Sequence, residues 1–492
     1  MGIIRKQSIQ SSIYLYIGVF IGFLTSSIVF PYILTTEQIG LTATLILYST
    51  VFAQFWTLGF NSVTIRMFSY FRNYENKHNH FFFLVFVVTI VGCIFSVFSY
   101  FILEPYIIRI NIKNAPLFVK YIHYVLPLII STLIFYNLDS YYTVLYKTVR
   151  GIFLKELVQR ILILAALYIY FIKVINFENF IIGYIIAISL PSLMFVILLI
   201  MEGEFVIKPK LDFISKDLSK SMINVGLFGI LTTLVGSANI QIDKAMASSM
   251  MSLAATGIYA TVLTFPLLIK VPSRAILKIS SAIIADAWKR NDLLEITKIY
   301  LTTSINQFVI GLLIFIGIWA NADNIFEILG SEFEAGRYVL LFVGLAFVFE
   351  MATGASSQII AYSKHYRYLT WFTAIMLVMV FISNLIFIPL FQITGVALAS
   401  AITTIAFTLI KVYFLYRKYK IHPFNIKFAY LTCIGLVVYL LSCLMPAMDN
   451  FIVDIIIRSG GISFIFMVLI FVMKISPEVN EKIIELKVKY LK

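Results

Sequence analysis

Charge is scarce in this chain. Its 492 residues include 24 acidic and 38 basic ones, 13% in all, against 61% hydrophobic residues. A soluble globular domain carries about a quarter of its residues as Asp, Glu, Lys and Arg, so that class is excluded. Cysteine is scarcer still: Cys93, Cys433 and Cys443 all lie in apolar runs, which rules out a disulfide framework and a thiolate metal site. The five histidines do not cluster; His78 and His80 share the polar stretch 75–80, where solvation accounts for them better than a metal does. There is no glycine-rich phosphate loop and no basic-aromatic module of the kind that binds nucleic acid. Nor do the short outer loops hold the paired acids of a membrane glycosyltransferase. These gaps point away from an enzyme and from any cofactor or metal.

What fills the chain is a series of apolar runs of roughly 20 residues, the length a helix needs to cross about 30 Å of hydrocarbon. The expected fold is an all-α polytopic membrane protein; a membrane barrel would show short alternating segments instead. About fourteen spans can be placed, near 13–34, 41–63, 81–102, 120–144, 157–174, 179–201, 222–242, 254–276, 301–320, 338–361, 369–390, 395–416, 428–446 and 459–475. Spans four and five are interrupted by Asp139, Lys147, Arg150, Lys155 and Arg160. Arg5 and Lys6 precede a first apolar run too long for a cleaved signal, so it reads as a retained span. With the N-terminus inside, about 31 of the 38 Lys and Arg fall on the cytoplasmic side of this topology. Both termini are therefore expected in the cytoplasm of a bacterial plasma (inner) membrane protein, and the net charge of +14 is largely a topology signal. All loops are short, under about 20 residues, too small to fold alone.

An internal repeat organises these spans. Ile39-Gly40-Leu41-Thr42-Ala43-Thr44-Leu45 opens span two, and Thr256-Gly257-Ile258-Tyr259-Ala260-Thr261-Val262 opens span eight. A six-span offset is what a parallel duplication would give. The expected division is a six-helix bundle over 1–201, a cytoplasmic linker over 202–220, a second six-helix bundle over 221–420, and two additional helices with a cytoplasmic tail over 421–492. Gly18, Gly22 and Ser26 in span one read as ordinary helix–helix packing.

Four kinds of group are candidates for function. On span eight, Lys270, Arg274 and Lys278 recur at i, i+4 and i+8, on one helix face. Either they snorkel to the inner headgroups, or they form a wall for an anionic group entering from the cytoplasm, where an arginine fork suits phosphate oxygens. Depth separates them: Lys278 reads as an anchor, Arg274 as borderline, and Lys270 as the residue to test. Asp139 in span four and Glu350 in span ten are acids that are costly to turn toward lipid. Each either pairs with a cation of the facing bundle or takes up a proton and couples transport to a gradient. Cations near the inner ends of other spans (Arg66, Lys147, Arg150, Arg160, Lys364, Arg367, Lys411) read mostly as topology anchors, with Arg66 and Arg160 the better candidates for lining a cavity. Tyr136, Tyr141, Tyr142 and Tyr146 crowd span four, for an interface belt or for stacking on sugar rings.

Several stretches together resemble a known family. Gln241-Ile242-Asp243-Lys244-Ala245-Met246, followed by Ala255-Thr256-Gly257-Ile258-Tyr259-Ala260, is similar to the start of the second half of bacterial oligosaccharide flippases. Leu329-Gly330-Ser331-Glu332-Phe333, Gly395-Val396-Ala397-Leu398-Ala399 and Lys420-Ile421-His422-Pro423-Phe424 agree. The likeness, densest from about 220 to 425, is to the O-antigen and capsule repeat-unit (Wzx-type) flippases of the superfamily that also holds multidrug (MATE) exporters and the lipid II flippase. It implies two six-helix bundles in a V around a central cationic cavity. It also implies alternating access that carries an undecaprenyl-diphosphate-linked oligosaccharide from the cytoplasmic to the outer leaflet. The implied partners are that lipid-linked oligosaccharide substrate, membrane lipids, and a proton or sodium gradient. In that frame Lys270 and Arg274 would hold the diphosphate with Arg66 and Arg160 in support, while Asp139 and Glu350 would serve coupling or interbundle pairing. A drug or cation exporter of the same fold is the nearest alternative and would want an acidic cavity. The Gly…Asp-Arg…Gly-Arg pattern of major-facilitator transporters is missing from Arg66–Glu75.

Overall fold

The computed structural model describes residues 2–73, 78–207 and 215–475, with the backbone alone for residues 2–9, 79 and 231–240. Residues 75–77 of the polar stretch, 208–214 of the expected linker and the tail from 476 onward lie outside the described residues. Every regular element among the described residues is helical. Contacts divide the chain into two compact units, Met1–Gly257 and Ile258–Lys492.

The first unit holds α1 (Gly2–Leu24), α2 (Thr36–Trp56), α3 (Phe60–Phe71), α4 (Phe81–Asn111), α5 (Val125–Val144), α6 (Gln159–Phe171), α7 (Phe177–Met201), α8 (Lys216–Met250) and the start of α9 (Leu253–Val262). Polar side chains at the helix starts take up N–H groups that the helices cannot satisfy themselves. Thr35 and Gln38 form a reciprocal capping box at α2 (3.3 and 3.1 Å), Asn176 caps α7 at 2.9 Å, and Ser215 caps α8 at 3.2 Å. α5 is the hub, packed on α2, α3, α4 and α7. Tyr141 and Tyr142 are buried there among Phe68, Phe81 and Phe195, so they serve the core and not an interface belt. α8 packs on α2 and α3.

The glycines of the two repeat segments lie within this unit and pack close to one another's helices. Gly40 lies against the Leu253 carbonyl, and Gly257 lies against the Thr36 carbonyl. Each glycine touches the residue four positions before its counterpart, so the contact is reciprocal.

The second unit holds the end of α9, then α10 (Thr264–Lys289), α11 (Leu293–Ala320), α12 (Arg337–Met351), α13 (Ser356–Tyr362), α14 (Arg367–Tyr419), α15 (Ile426–Cys443) and α16 (Phe451–Val472). α12 packs on α10, α11 and α14, while α15 and α16 dock on α11. Arg458 ties α16 down, bonding Asp454 at 3.0 Å and the Ser442 carbonyl at 2.9 Å. Over its most apolar window α16 is only 17% buried, which suits a helix flanked by lipid.

Ten helices among the described residues are long and apolar enough to cross a membrane, eleven if the bent pair Ser331–Met351 and Ser356–Tyr362 counts as one span. The expected fourteen is not reached. α14 runs 53 residues and contains two expected spans, 369–390 and 395–416, broken at Gln392 (φ 53°, ψ −127°). At 1.5 Å per residue its length would be roughly 80 Å, more than twice the hydrocarbon thickness. Expected span five is divided among Val149–Ile152, a π-helical turn over Phe153–Val158, and the 13-residue α6. Expected span seven falls in α8, part of which lacks described side chains.

Candidate functional site

A break in one helix opens a polar cavity inside the second unit. α12 ends at Met351 and α13 restarts at Ser356, bent by 50° from the preceding helix. Gly354 makes the break possible: its φ of +47° is one that residues with a side chain rarely adopt. It also presses on α11, where a Cβ would lie 2.5 Å from Ser304 Oγ and 2.6 Å from Ser304 N. Backbone groups freed inside a membrane need local partners. Here the Gly354 N–H donates to Met351 O at 3.0 Å, the Thr353 hydroxyl to Glu350 O at 2.8 Å, and the Ala355 N–H to Thr303 Oγ1 at 3.3 Å.

Glu350 stands on the last turn before this break and is held by Lys270 of α10, Nζ to Oε2, at 2.7 Å. The two side chains are 35% and 30% exposed, and both line a cavity of about 130 Å³. The Lys270 ammonium also lies 4.8 Å from the centroid of the Phe347 ring. Lys411 of α14 lines the same cavity and is only 2% exposed. Its ammonium donates to Ser357 Oγ at 3.0 Å and sits 4.4 Å from the Phe407 centroid. No carboxylate comes within 4.0 Å of it among the described residues. Ser273, Thr353, Ser356 and two glutamines, Gln307 and Gln358, complete the polar lining. Gln307 is buried, and neither its Nε2 nor Gln358 Oε1 has a hydrogen-bond partner. Two ammonium groups and one carboxylate thus line the chamber, with only Lys270 paired to the carboxylate, which leaves one positive charge in a small polar space. Such a chamber accepts an anion more readily than a second cation.

The other sequence candidates lie elsewhere. Arg274 and Lys278 follow Lys270 on α10, but both are exposed and neither makes an ion pair among the described residues. Glu350 takes its cation from its own unit. In the first unit, Arg66 is exposed on α3 without an ion pair among the described residues. Arg160 is paired with Glu156 one turn earlier at 2.7 Å, and this pair lies on α1: the guanidinium covers Gly22 and Glu156 covers Gly18. Asp139 packs against Gly151, where a side chain would overlap its carboxylate, and the nearby charge acting on it is Lys155.

No family model and no curated protein sequence matches this chain. Solved structures do. A lipid II flippase, MurJ, in an inward closed conformation has a TM-score of 0.74 at 14% identity, covering 95% of this chain and 98% of its own. The fold is that of the MOP-superfamily transporters. An inward-facing multidrug resistance MATE transporter of the same superfamily gives 0.64 at 14% identity over 82% of this chain and 93% of its own. A MOP-superfamily transporter from Pyrococcus furiosus, described as having a binding pocket of reversed polarity that suggests a different function, gives 0.53 at 16% identity over 83% and 94%.

Within this MOP fold the residues that sequence reasoning passed over are Lys411 and Gln307. Lys411 looked like one more inner anchor. One signal was available: Arg417, Lys418 and Lys420 follow within three turns and already provide the anchoring charge, so a fourth cation deeper in the helix is surplus to it. Gln307 had no signal beyond being an amide in an apolar run.

Proposed function

We propose that this protein is a flippase, and not an enzyme, that moves an undecaprenyl-diphosphate-linked oligosaccharide repeat unit from the cytoplasmic to the outer leaflet of the plasma membrane. Its product would feed O-antigen, lipopolysaccharide or capsule assembly. The observation that carries this reading is the cavity of Lys270, Glu350 and Lys411, whose excess positive charge suits a phosphorylated substrate. The extent of the MurJ likeness supports a lipid-borne cargo. Lys270 and Arg274 are the proposed diphosphate contacts, with Arg66 and Arg160 in support, and Asp139 with Glu350 couple the cycle to a proton or sodium gradient. The helices over 1–201 and 221–420 act as the two bundles joined by the linker 202–220, with both termini cytoplasmic.

The test is surface polysaccharide in a strain carrying Lys270→Gln with Arg274→Gln. Export should be lost while the protein still reaches the membrane; normal polysaccharide in that double variant overturns the site. A drug exporter of the same fold would instead show as sensitivity to cationic dyes on deletion, with polysaccharide intact.

A further inference from the structure

We infer that the cavity at the α12–α13 break is a site for a single phosphoryl oxyanion, with Lys411 and Gln307 as its direct donors and Glu350 as its built-in competitor. The inference rests on the flippase reading only in that the phosphoryl group would then be lipid-borne; binding itself needs no such assumption.

The buried donors of this cavity are under-used. An ammonium has three hydrogens to donate, and at Lys411 only Ser357 Oγ accepts one. The Gln307 side chain, 2% exposed, has an amide nitrogen with no acceptor at all. Buried donors left unpaired cost free energy, and a buried ammonium costs more unless a negative charge answers it. Water could accept from either group but would leave the charge unanswered. A tetrahedral oxyanion answers both, since its oxygens can take the ammonium, the amide and the hydroxyls of Ser356 and Ser357 together. The cavity holds the equivalent of several water molecules, room enough for a phosphoryl group. Glu350 faces the same space and carries like charge to the ligand. While the cavity is empty it satisfies Lys270; when an anion enters, it opposes it.

That last relation gives the site a signature that a purely structural cluster would lack. Neutralising Lys411 should weaken anion binding, whereas neutralising Glu350 should strengthen it. The full chain, purified in a maltoside detergent that carries no phosphate, is titrated with inorganic phosphate and with dihexanoyl phosphatidic acid, followed by calorimetry and ³¹P line width. Lys411→Met should bind on the order of tenfold or more weakly, the loss of one charge-assisted contact. Lys411→Arg should keep most of the affinity, and Glu350→Gln should gain it. Binding of both probes points to free phosphate as a ligand, and binding of the lipid phosphate alone points to a headgroup; either supports the site. It is overturned if wild type binds neither probe, if well-folded Lys411→Met binds like wild type, or if Glu350→Gln binds more weakly. Polysaccharide export is scored separately in the same variants. Lost phosphate binding with normal export leaves the anion site standing and counts against the flippase reading at this cavity, as does intact binding in a protein that exports nothing.

Discussion

Lys270 and Glu350, 80 residues apart in sequence, are joined at 2.7 Å in the second unit. The pair lines the polar cavity at the α12–α13 break, and its two ends are each about one-third exposed. A partly exposed pair of this kind contributes at most about 1 kcal/mol. Reversing one charge alone, as in Lys270→Glu, places two carboxylates together and should lower both the yield of folded protein and its melting temperature. The exchanged pair Lys270→Glu with Glu350→Lys should recover most of that loss in a thermal melt of the solubilised protein. A double variant no better than the worse single would show that the ion pair does not hold these helices.

Two glycines of the second unit should respond oppositely to alanine. At Gly354 a side chain meets both a left-handed backbone and the Ser304 amide, and neither can yield cheaply. Gly354→Ala should cost about 2 kcal/mol or more in stability. Gly317, in the last turn of α11, has nothing within 4 Å of the position a Cβ would take. Gly317→Ala should be neutral or stabilise by up to about 1 kcal/mol, because alanine is the better helix former. Melting temperatures of the two variants, measured side by side, decide the matter.

The reciprocal contact of the repeat segments makes a paired prediction. Added methyl groups at Gly40 and Gly257 would each strike a main-chain carbonyl, of Leu253 and Thr36. Gly40→Ala and Gly257→Ala should therefore each destabilise by roughly 1–3 kcal/mol. The double variant should cost less than the sum, because the same pair of helices is forced apart once. Strict additivity in a double-mutant cycle would argue that the two contacts are independent.

His365 lies between α13 and α14, outside the membrane-spanning segments, with Nδ1 2.7 Å from Tyr419 Oη. Partial burial, and then the charges of Lys418 and Lys364, push its ionisation below the usual 6.5. The folded chain therefore takes up a proton less readily than the unfolded one. The stability this represents is present above about pH 6.5 and is lost as pH falls toward the lower folded value. Melting temperatures measured from pH 7 down to pH 5 should fall more steeply in wild type than in His365→Gln; parallel curves would remove His365 from the account.

Much of this was legible in the residues and some was not. An acid or cation within twenty apolar residues announces itself by cost alone, which is why Lys270, Glu350 and Asp139 stood out. Their partners did not, because nothing local encodes a neighbour 80 positions away. Arg160 shows the converse: Glu156 precedes it by four residues, so a helical pair was readable, yet the glycines of α1 that receive it came from a distant stretch. Lys411 was hidden by a rule that is usually right, since basic residues near the inner ends of helices do generally mark the cytoplasmic side. The break after Met351 was also unseen. Gly354 carries no proline beside it, and its left-handed backbone only becomes necessary once α11 is pressed against it.

The kink at Gln392 has a consequence for how the chain enters a bilayer. Gly395 packs on the carbonyl of Phe387, so the backbone doubles back on itself within eight residues. From Tyr368 to Ile410 there is no charged side chain. The bend between the two arms of α14 thus offers no lysine, arginine or hydrated loop by which one arm could be oriented before the other. Orientation must come from the two ends, from Arg367 before the first arm and Arg417, Lys418 and Lys420 at the end of the second. The arms are bound to insert together as one helical hairpin, and a lone arginine placed beside Gln392 would give insertion a handle that the natural chain withholds.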